Sequence, residues 1–172
     1  MTDIPTLTTE RLTLRGPEPQ DLEPYAAFRM SDRAVGVGGP YSRDAAERQF
    51  AALFEHWERR GYGRWMVTDT GTGAPLGVVG ILNPDGWPEP ELAWSVFENG
   101  EGKGIAYEAA VASRAYAYDT LGLTTLVSLV DHANTRSVAL ARRLGARVDG
   151  TCMIPNHGEA PVWRHPGPEE LI

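Results

Sequence analysis

The stretch Glu101-Gly102-Lys103-Gly104-Ile105-Ala106 stands between an apolar, strand-like run and an alanine-rich run with helical spacing. A glycine-rich turn that opens a helix presents free backbone N–H groups at the positive end of the helix dipole, which is a place to hold phosphate. Three phosphate-binding patterns compete for it. A P-loop requires Gly-x-x-x-x-Gly-Lys-Ser/Thr, and here Lys103 is followed by Gly104. A dinucleotide fingerprint requires Gly-x-Gly-x-x-Gly/Ala. Counted from Gly100 its last position is Ile105, and counted from Gly102 it is Tyr107, so both frames fail. The third pattern, Arg/Gln-x-x-Gly-x-Gly/Ala, fits at Gly104-Ile105-Ala106, with Glu101 where a basic or amide side chain belongs.

The flanking segments supply the architecture. Residues 9–15 alternate with Leu12 and Leu14 on one face and read as a strand. Asp21 can cap a short helix to about Met30, and residues 31–40 form a glycine-rich loop. Ser42 can cap a second helix to about Arg60, in which Ala46, Phe50, Leu53 and Trp57 make one apolar face. Strands are expected at 64–68, 76–82 and 91–97, the first two as a hairpin. A helix follows from Lys103 to about Leu121, then a strand at 124–130, a helix from Asn134 to Leu144, and strands at 147–153 and 161–165. This order predicts a mixed α/β (α+β) domain with one crossover unit.

Whole-chain properties narrow the function classes. A chain of 172 residues with 42% hydrophobic content is expected to form one domain, spanning residues 1–172, without disulfides. The single cysteine, Cys152, fits a reducing compartment, and no Cys/His spacing resembles a zinc site, so no metal is expected. Residues 1–10 are polar and do not read as a signal peptide, and no run approaches a membrane span. The expectation is a cytoplasmic protein with no membrane partner. A net charge of -7 argues against nucleic acid as a partner, because backbone binding needs a basic face.

In order and spacing, several segments together resemble the GNAT superfamily of acetyl-CoA-dependent N-acetyltransferases, and within it the branch of ribosomal-protein N-terminal alanine and serine acetyltransferases. They are Leu7-Thr8-Thr9-Glu10-Arg11-Leu12-Thr13-Leu14-Arg15, Gly77-Val78-Val79-Gly80, Glu91-Leu92-Ala93-Trp94, Gly102 to Ala109, Asn134-Thr135-Arg136-Ser137, and Arg143-Leu144-Gly145-Ala146. The resemblance implies a twisted, mostly antiparallel sheet with a splayed central strand pair and about four helices. It implies acetyl-CoA as acyl donor and direct transfer to a primary amine, on a protein N-terminus or a small molecule. It also brings a homodimer into view, since such relatives are often dimers.

The resemblance carries roles onto particular positions. Gly102, Lys103, Gly104, Ile105 and Ala106 would receive the coenzyme A pyrophosphate on their N–H groups. Val96 and Phe97 would pair through backbone with the pantetheine arm. Asn134 would contact the coenzyme or simply cap its helix, and Arg143 would lie near the 3′-phosphate. Glu91 is the first choice for general base, with Glu89 next. The tyrosine that serves many relatives as general acid is replaced by Ala141, which leaves Ser137, matching the branch's serine, to hydrogen-bond the sulfur. His132 is a reserve. Tyr41 and Trp87 are expected at the acceptor site, with Phe28, Trp65 and Trp94 near it. Glu101 is expected to point to solvent, away from the phosphates. The missing tyrosine keeps one alternative open, a non-catalytic acyl-CoA-binding module.

Overall fold

The structure is a computed structural model and describes residues 3–172. Met1 and Thr2, at the head of the polar segment read above, lie outside the described residues. One eight-stranded sheet organises the chain, with strand order β1-β2-β3-β4-β5-β6-β8-β7. The strands are β1 (Leu7–Thr8), β2 (Leu12–Arg15), β3 (Arg64–Asp69), β4 (Pro75–Leu82), β5 (Glu91–Val96), β6 (Val127–Leu129), β7 (Arg147–Ile154) and β8 (Gly158–Arg164). The helices are α1 (Leu22–Arg29), α2 (Arg43–Arg60), α3 (Ile105–Asp119) and α4 (Thr135–Arg143). All neighbouring strands run antiparallel except β5 and β6. A parallel pair needs a crossover connection, and α3 supplies it.

The period-two alternation of β3 and β4 divides the core. Met66 and Val78 pack with Tyr25, Phe28, Phe50 and Leu53 from α1 and α2. Val67, Val79 and Leu92 pack with Ile105, Ala109 and Ala110 of α3. Ala141 of α4 packs with Val130 and Trp163 at the far end. The expected elements are present, with shifts at their ends. Ser42 caps α2 by accepting the Ala45 N–H at 3.1 Å. Additions not foreseen are the short β1 and 3₁₀ segments over Pro19–Asp21, Asp32–Val37 inside the glycine loop, Glu98–Gly100 and Pro168–Leu171.

The largest difference from expectation is β6. Seven strand-forming residues at 124–130 give only three in the ladder. The reason is geometric: β5 and β6 register at the single pair Glu91↔Val127 and then diverge. The gap between them positions the site.

Candidate active site

At the mouth of this gap a side chain replaces the missing ladder. Leu129 donates its N–H to Glu91 Oε2 at 2.8 Å. Next to it the Ser128 hydroxyl donates to the Leu92 carbonyl at 2.6 Å. Ser128 is itself held by a buried chain whose direction is fixed by its first member. Arg114 can only donate, so His165 Nδ1 accepts from it at 3.3 Å. His165 Nε2 therefore carries the hydrogen and donates to Ser128 Oγ at 2.7 Å. Burial, aided by the Arg114 charge, lowers the His165 pKa to about 3, so the ring is neutral.

Beyond Leu92 the β5 edge is open. Phe97 donates its N–H to the Leu76 carbonyl of β4 at 2.8 Å. The alternation of an antiparallel ladder then turns the backbone groups of Val96 and Trp94 toward the gap. Val96 thus carries a free edge. Phe97 does not: its carbonyl accepts the Gly100 N–H at 3.0 Å, and its ring is buried against Phe28.

A groove of about 600 Å³ runs from this edge to the start of α3, lined by Val96, Gly102, Gly104, Ile105 and Ala106 on one side and Asn134, Ser137 and Arg143 on the other. Gly104 sits at the helix N-cap with φ 74°, a left-handed conformation that strains any side chain. Among the described residues the backbone N–H groups from Gly102 to Tyr107 find no acceptor, as the first turn of a helix dictates. Lys103 lends only its backbone, since its Nζ turns back to the Asn99 carbonyl at 2.8 Å. Arg143 lies over the Tyr107 ring at 3.8 Å, and both line the groove.

Glu101 departs from expectation. It does not face open solvent but is paired with both Arg33 and Arg136, which line the groove with it, and its side chain is 21% exposed. The two arginines supply the basic charge that the loop's first position lacks.

On the other side of the gap a cavity of about 640 Å³ opens toward α1, α2 and the glycine loop. Trp94, Ser95, Asn134 and Ser137 line both spaces, so the two meet there. Gly36 belongs to both as well, and a Cβ on it would collide with Asn134 Nδ2, so the loop presses directly onto the start of α4. Asn134 is also a helix cap, accepting the Ser137 N–H at 3.3 Å.

Glu91 lines this cavity and is 7% exposed. Its Oε1 accepts the Trp87 indole N–H at 3.2 Å. Burial raises its pKa to about 7, against the lowering effect of its two hydrogen bonds and of Arg64. A carboxylate poised there suits general-base work near neutral pH. Glu89 does not fit that role. Arg164 holds it through two bonds of 3.0 and 2.8 Å, and this pairing lowers its pKa. His132 is exposed against Trp163, outside the cavity lining.

Ser137 accepts the Trp94 indole N–H at 3.2 Å, which leaves its own hydrogen free where the two spaces join. Ala141, in the place of the usual tyrosine, is fully buried. Tyr41 and Trp87 both line the cavity, with Tyr41 donating to the Val37 carbonyl at 2.6 Å. Trp65 and Phe28 are core residues. Among residues the sequence did not single out are Ser128, Arg29 and Arg64. The available signal for Arg64 was a cation opening an otherwise apolar strand.

Taken together, a helix-start anion cradle, a free strand edge and a buried carboxylate in the adjoining cavity define an acyltransferase-type site fed by a phosphate-bearing carrier. The sequence pattern of the Acetyltransferase (GNAT) domain matches residues 11–147. The chain belongs to the GNAT acetyltransferase family, whose members transfer acetyl groups from acetyl-CoA. It is similar to a crystallised acetyltransferase from Agrobacterium tumefaciens, with 40% identity, 95% of each chain covered and a TM-score of 0.88. It is 26% identical to the N-acetyltransferase YoaA of Bacillus subtilis, itself uncharacterised, over 86% of this chain and 85% of that one. The fold also matches a ribosomal-protein-S5-alanine acetyltransferase from Vibrio fischeri, with 15% identity, 96% and 98% coverage and a TM-score of 0.70.

The groove fits coenzyme A on its own chemistry: free N–H groups for the pyrophosphate, arginines along its wall and an unpaired strand edge for the pantetheine amides. Among the described residues no group of three or more His, Cys, Asp or Glu could hold a metal ion. No described helix is long and apolar enough to cross a membrane.

Proposed function

We propose that this protein is a cytoplasmic N-acetyltransferase, one catalytic domain along its whole length, that passes the acetyl group directly to a primary amine. The observation that carries the reading is Glu91, a buried carboxylate with its pKa raised to about 7, facing the cavity that meets the donor groove at Trp94 and Ser137. Residues 102–106 and Arg143 would hold the phosphates, and the backbone of Val96 and Trp94 would pair with the pantetheine arm. When bound, acetyl-CoA supplies an activated thioester acyl group.

Glu91 takes the proton from the acceptor ammonium, so that a neutral amine faces the acyl carbon. Trp87 holds the carboxylate in place from Oε1, and Leu129 holds it from Oε2. Ser137, held by the Trp94 indole, would offer its hydroxyl hydrogen to the thioester sulfur. As the C–N bond forms and the C–S bond breaks, the proton lost by the attacking nitrogen would pass to the thiolate, releasing free coenzyme A. Cys152 lies on β7, outside both linings, so no covalent acyl-enzyme is needed. Tyr41 and Trp87 form part of the acceptor wall.

The test is thiol release from acetyl-CoA with a panel of amines, run beside coenzyme A binding by calorimetry. Turnover with at least one amine, lost about 10²–10⁴-fold in Glu91→Gln, supports the reading. Tight coenzyme A binding without turnover on any amine would establish the non-catalytic acyl-CoA-binding module instead.

A further inference from the structure

The acceptor cavity has a charge pattern that amine chemistry alone does not require. Four arginines line it, Arg29, Arg59, Arg60 and Arg64, in a chain whose net charge is -7. Arg59 and Arg60 are accounted for, because both pair with Asp85 at 2.5 and 3.2 Å. Arg29 and Arg64 are not. Among the described residues neither has a carboxylate within ion-pair distance.

Arg29 is oriented without being neutralised. Its Nε donates to Gln49 Oε1 at 2.7 Å, and its guanidinium lies over the Tyr41 ring at 4.6 Å. Among the described residues the Arg64 side chain makes no hydrogen bond, while the Arg64 backbone carbonyl accepts the Trp57 indole N–H at 2.8 Å. Its position follows from register: Arg64 faces Gly80 across β3 and β4, and Gly80 faces Ala93 across β4 and β5. Gly80 carries no side chain, and a Cβ there would meet the Arg64 Cα at 2.5 Å. Arg64 shares the face that carries Glu91, two residues from Ala93. Burial lowers the pKa of Arg64 and the charge of Arg29 lowers it further, while Tyr25 and Glu91 act in the opposite direction without overcoming burial. Two like charges beside one cavity repel each other, Glu91 offsets Arg64 only from beyond ion-pair distance, and an anion held between the two guanidiniums relieves the repulsion.

We infer that the acceptor carries its own carboxylate, bound by Arg29 and Arg64 while its amine faces Glu91. The acceptor class is a small amino-carboxylic acid, a free amino acid or a close analogue. A protein N-terminus fits less well, because its first α-carboxyl is consumed in a peptide bond and the anion nearest the amine is lost. This inference rests on the N-acetyltransferase reading above.

The experiment measures kcat/KM by thiol release for the standard free amino acids, for their carboxamides, and for amidated hexapeptides beginning with Ser or Ala. The expected result is that the preferred free amino acid exceeds its carboxamide by about 10–100-fold, the range for hydrogen bonds to charged groups. Arg64→Gln and Arg29→Gln each collapse that ratio toward one, and Arg64→Lys retains part of it. Coenzyme A binding by each variant shows that it is folded. Equal turnover of acids and carboxamides, or a preference for the hexapeptides, overturns the inference and leaves the enzyme reading standing. Absence of turnover on every amine, carboxamides and peptides included, defeats the enzyme reading and the inference with it.

Discussion

The Leu129 N–H donates to the Glu91 carboxylate at 2.8 Å across the point where β5 and β6 part. One side chain thereby does two things: it closes the end of an interrupted ladder and it faces the acceptor cavity. Its burial follows from the first task and its raised pKa follows from the burial.

The pH dependence of turnover follows from this arrangement. A general base works only when ionised, so kcat/KM should rise through about pH 7, the pKa to which burial raises Glu91. Glu91→Gln should lose this limb along with most of the rate, since the amide can still accept from Leu129 but takes no proton. A wild-type profile flat between about pH 6 and about pH 8 would remove Glu91 from the role.

Stability should show the same group with the opposite sense. The folded pKa of Glu91 is raised, so its contribution is present below the ordinary carboxylate value and is lost as pH rises through about 7. His165 is depressed to about 3, so its contribution is present above the ordinary imidazole value of 6.5 and is lost as pH falls below it. Buried His56 shifts in the same direction as His165. The terms oppose one another between the carboxylate and imidazole values. Thermal melts of the wild type should therefore rise only shallowly with pH there and level off above about pH 7, where Glu91 and the two histidines titrate no further. In Glu91→Gln the opposing term is gone, so melting temperature should rise more steeply with pH up to about neutrality than in the wild type.

How far the sequence carried these conclusions depends on range. The helices were legible because their caps and faces are local: Ser42 with the apolar row Ala46, Phe50, Leu53 and Trp57 marks α2 without reference to anything else. The loop from Gly102 to Ala106 was legible for the same reason, since backbone conformation and helix start lie within a few residues. The truncation of β6 was not, because residues 124–130 carry full strand propensity and only the departing partner β5 decides where pairing stops. Nor was the Arg29–Arg64 arrangement, which depends on the absence of a side chain at Gly80 in a third strand. The partners of Glu101 come from a loop and a helix distant in sequence, so its orientation could not be read from its neighbours.

The buried chain from Arg114 through His165 and Ser128 to the Leu92 carbonyl should be a structural support of the gap. Ser128→Ala leaves the Leu92 carbonyl without its donor and His165 Nε2–H without its acceptor. Chemical denaturation should show a loss of about 1–3 kcal/mol, the cost of leaving buried polar groups unsatisfied. A loss under about 0.5 kcal/mol would mean that the chain does not hold the strands.

Glu101 gives a prediction about the donor. Its carboxylate pairs with Arg33 and Arg136 at the rim of the groove, where the pyrophosphate would also seek them. The three side chains are partly exposed, and such pairs contribute about 0.2–1 kcal/mol each. Breaking two of them on binding opposes coenzyme A by a similar amount. Glu101→Gln, which keeps the shape and removes the charge, should tighten coenzyme A about three- to tenfold at low salt, with the gain shrinking as ionic strength rises. Glu101→Arg should tighten it as well, by restoring the basic first position of the loop. Weaker binding in Glu101→Gln would show the reverse relationship, in which the carboxylate holds Arg33 and Arg136 ready for the phosphates. Isothermal titration of both variants at two salt concentrations separates competition from pre-organisation, because only competition predicts a gain on removing the charge.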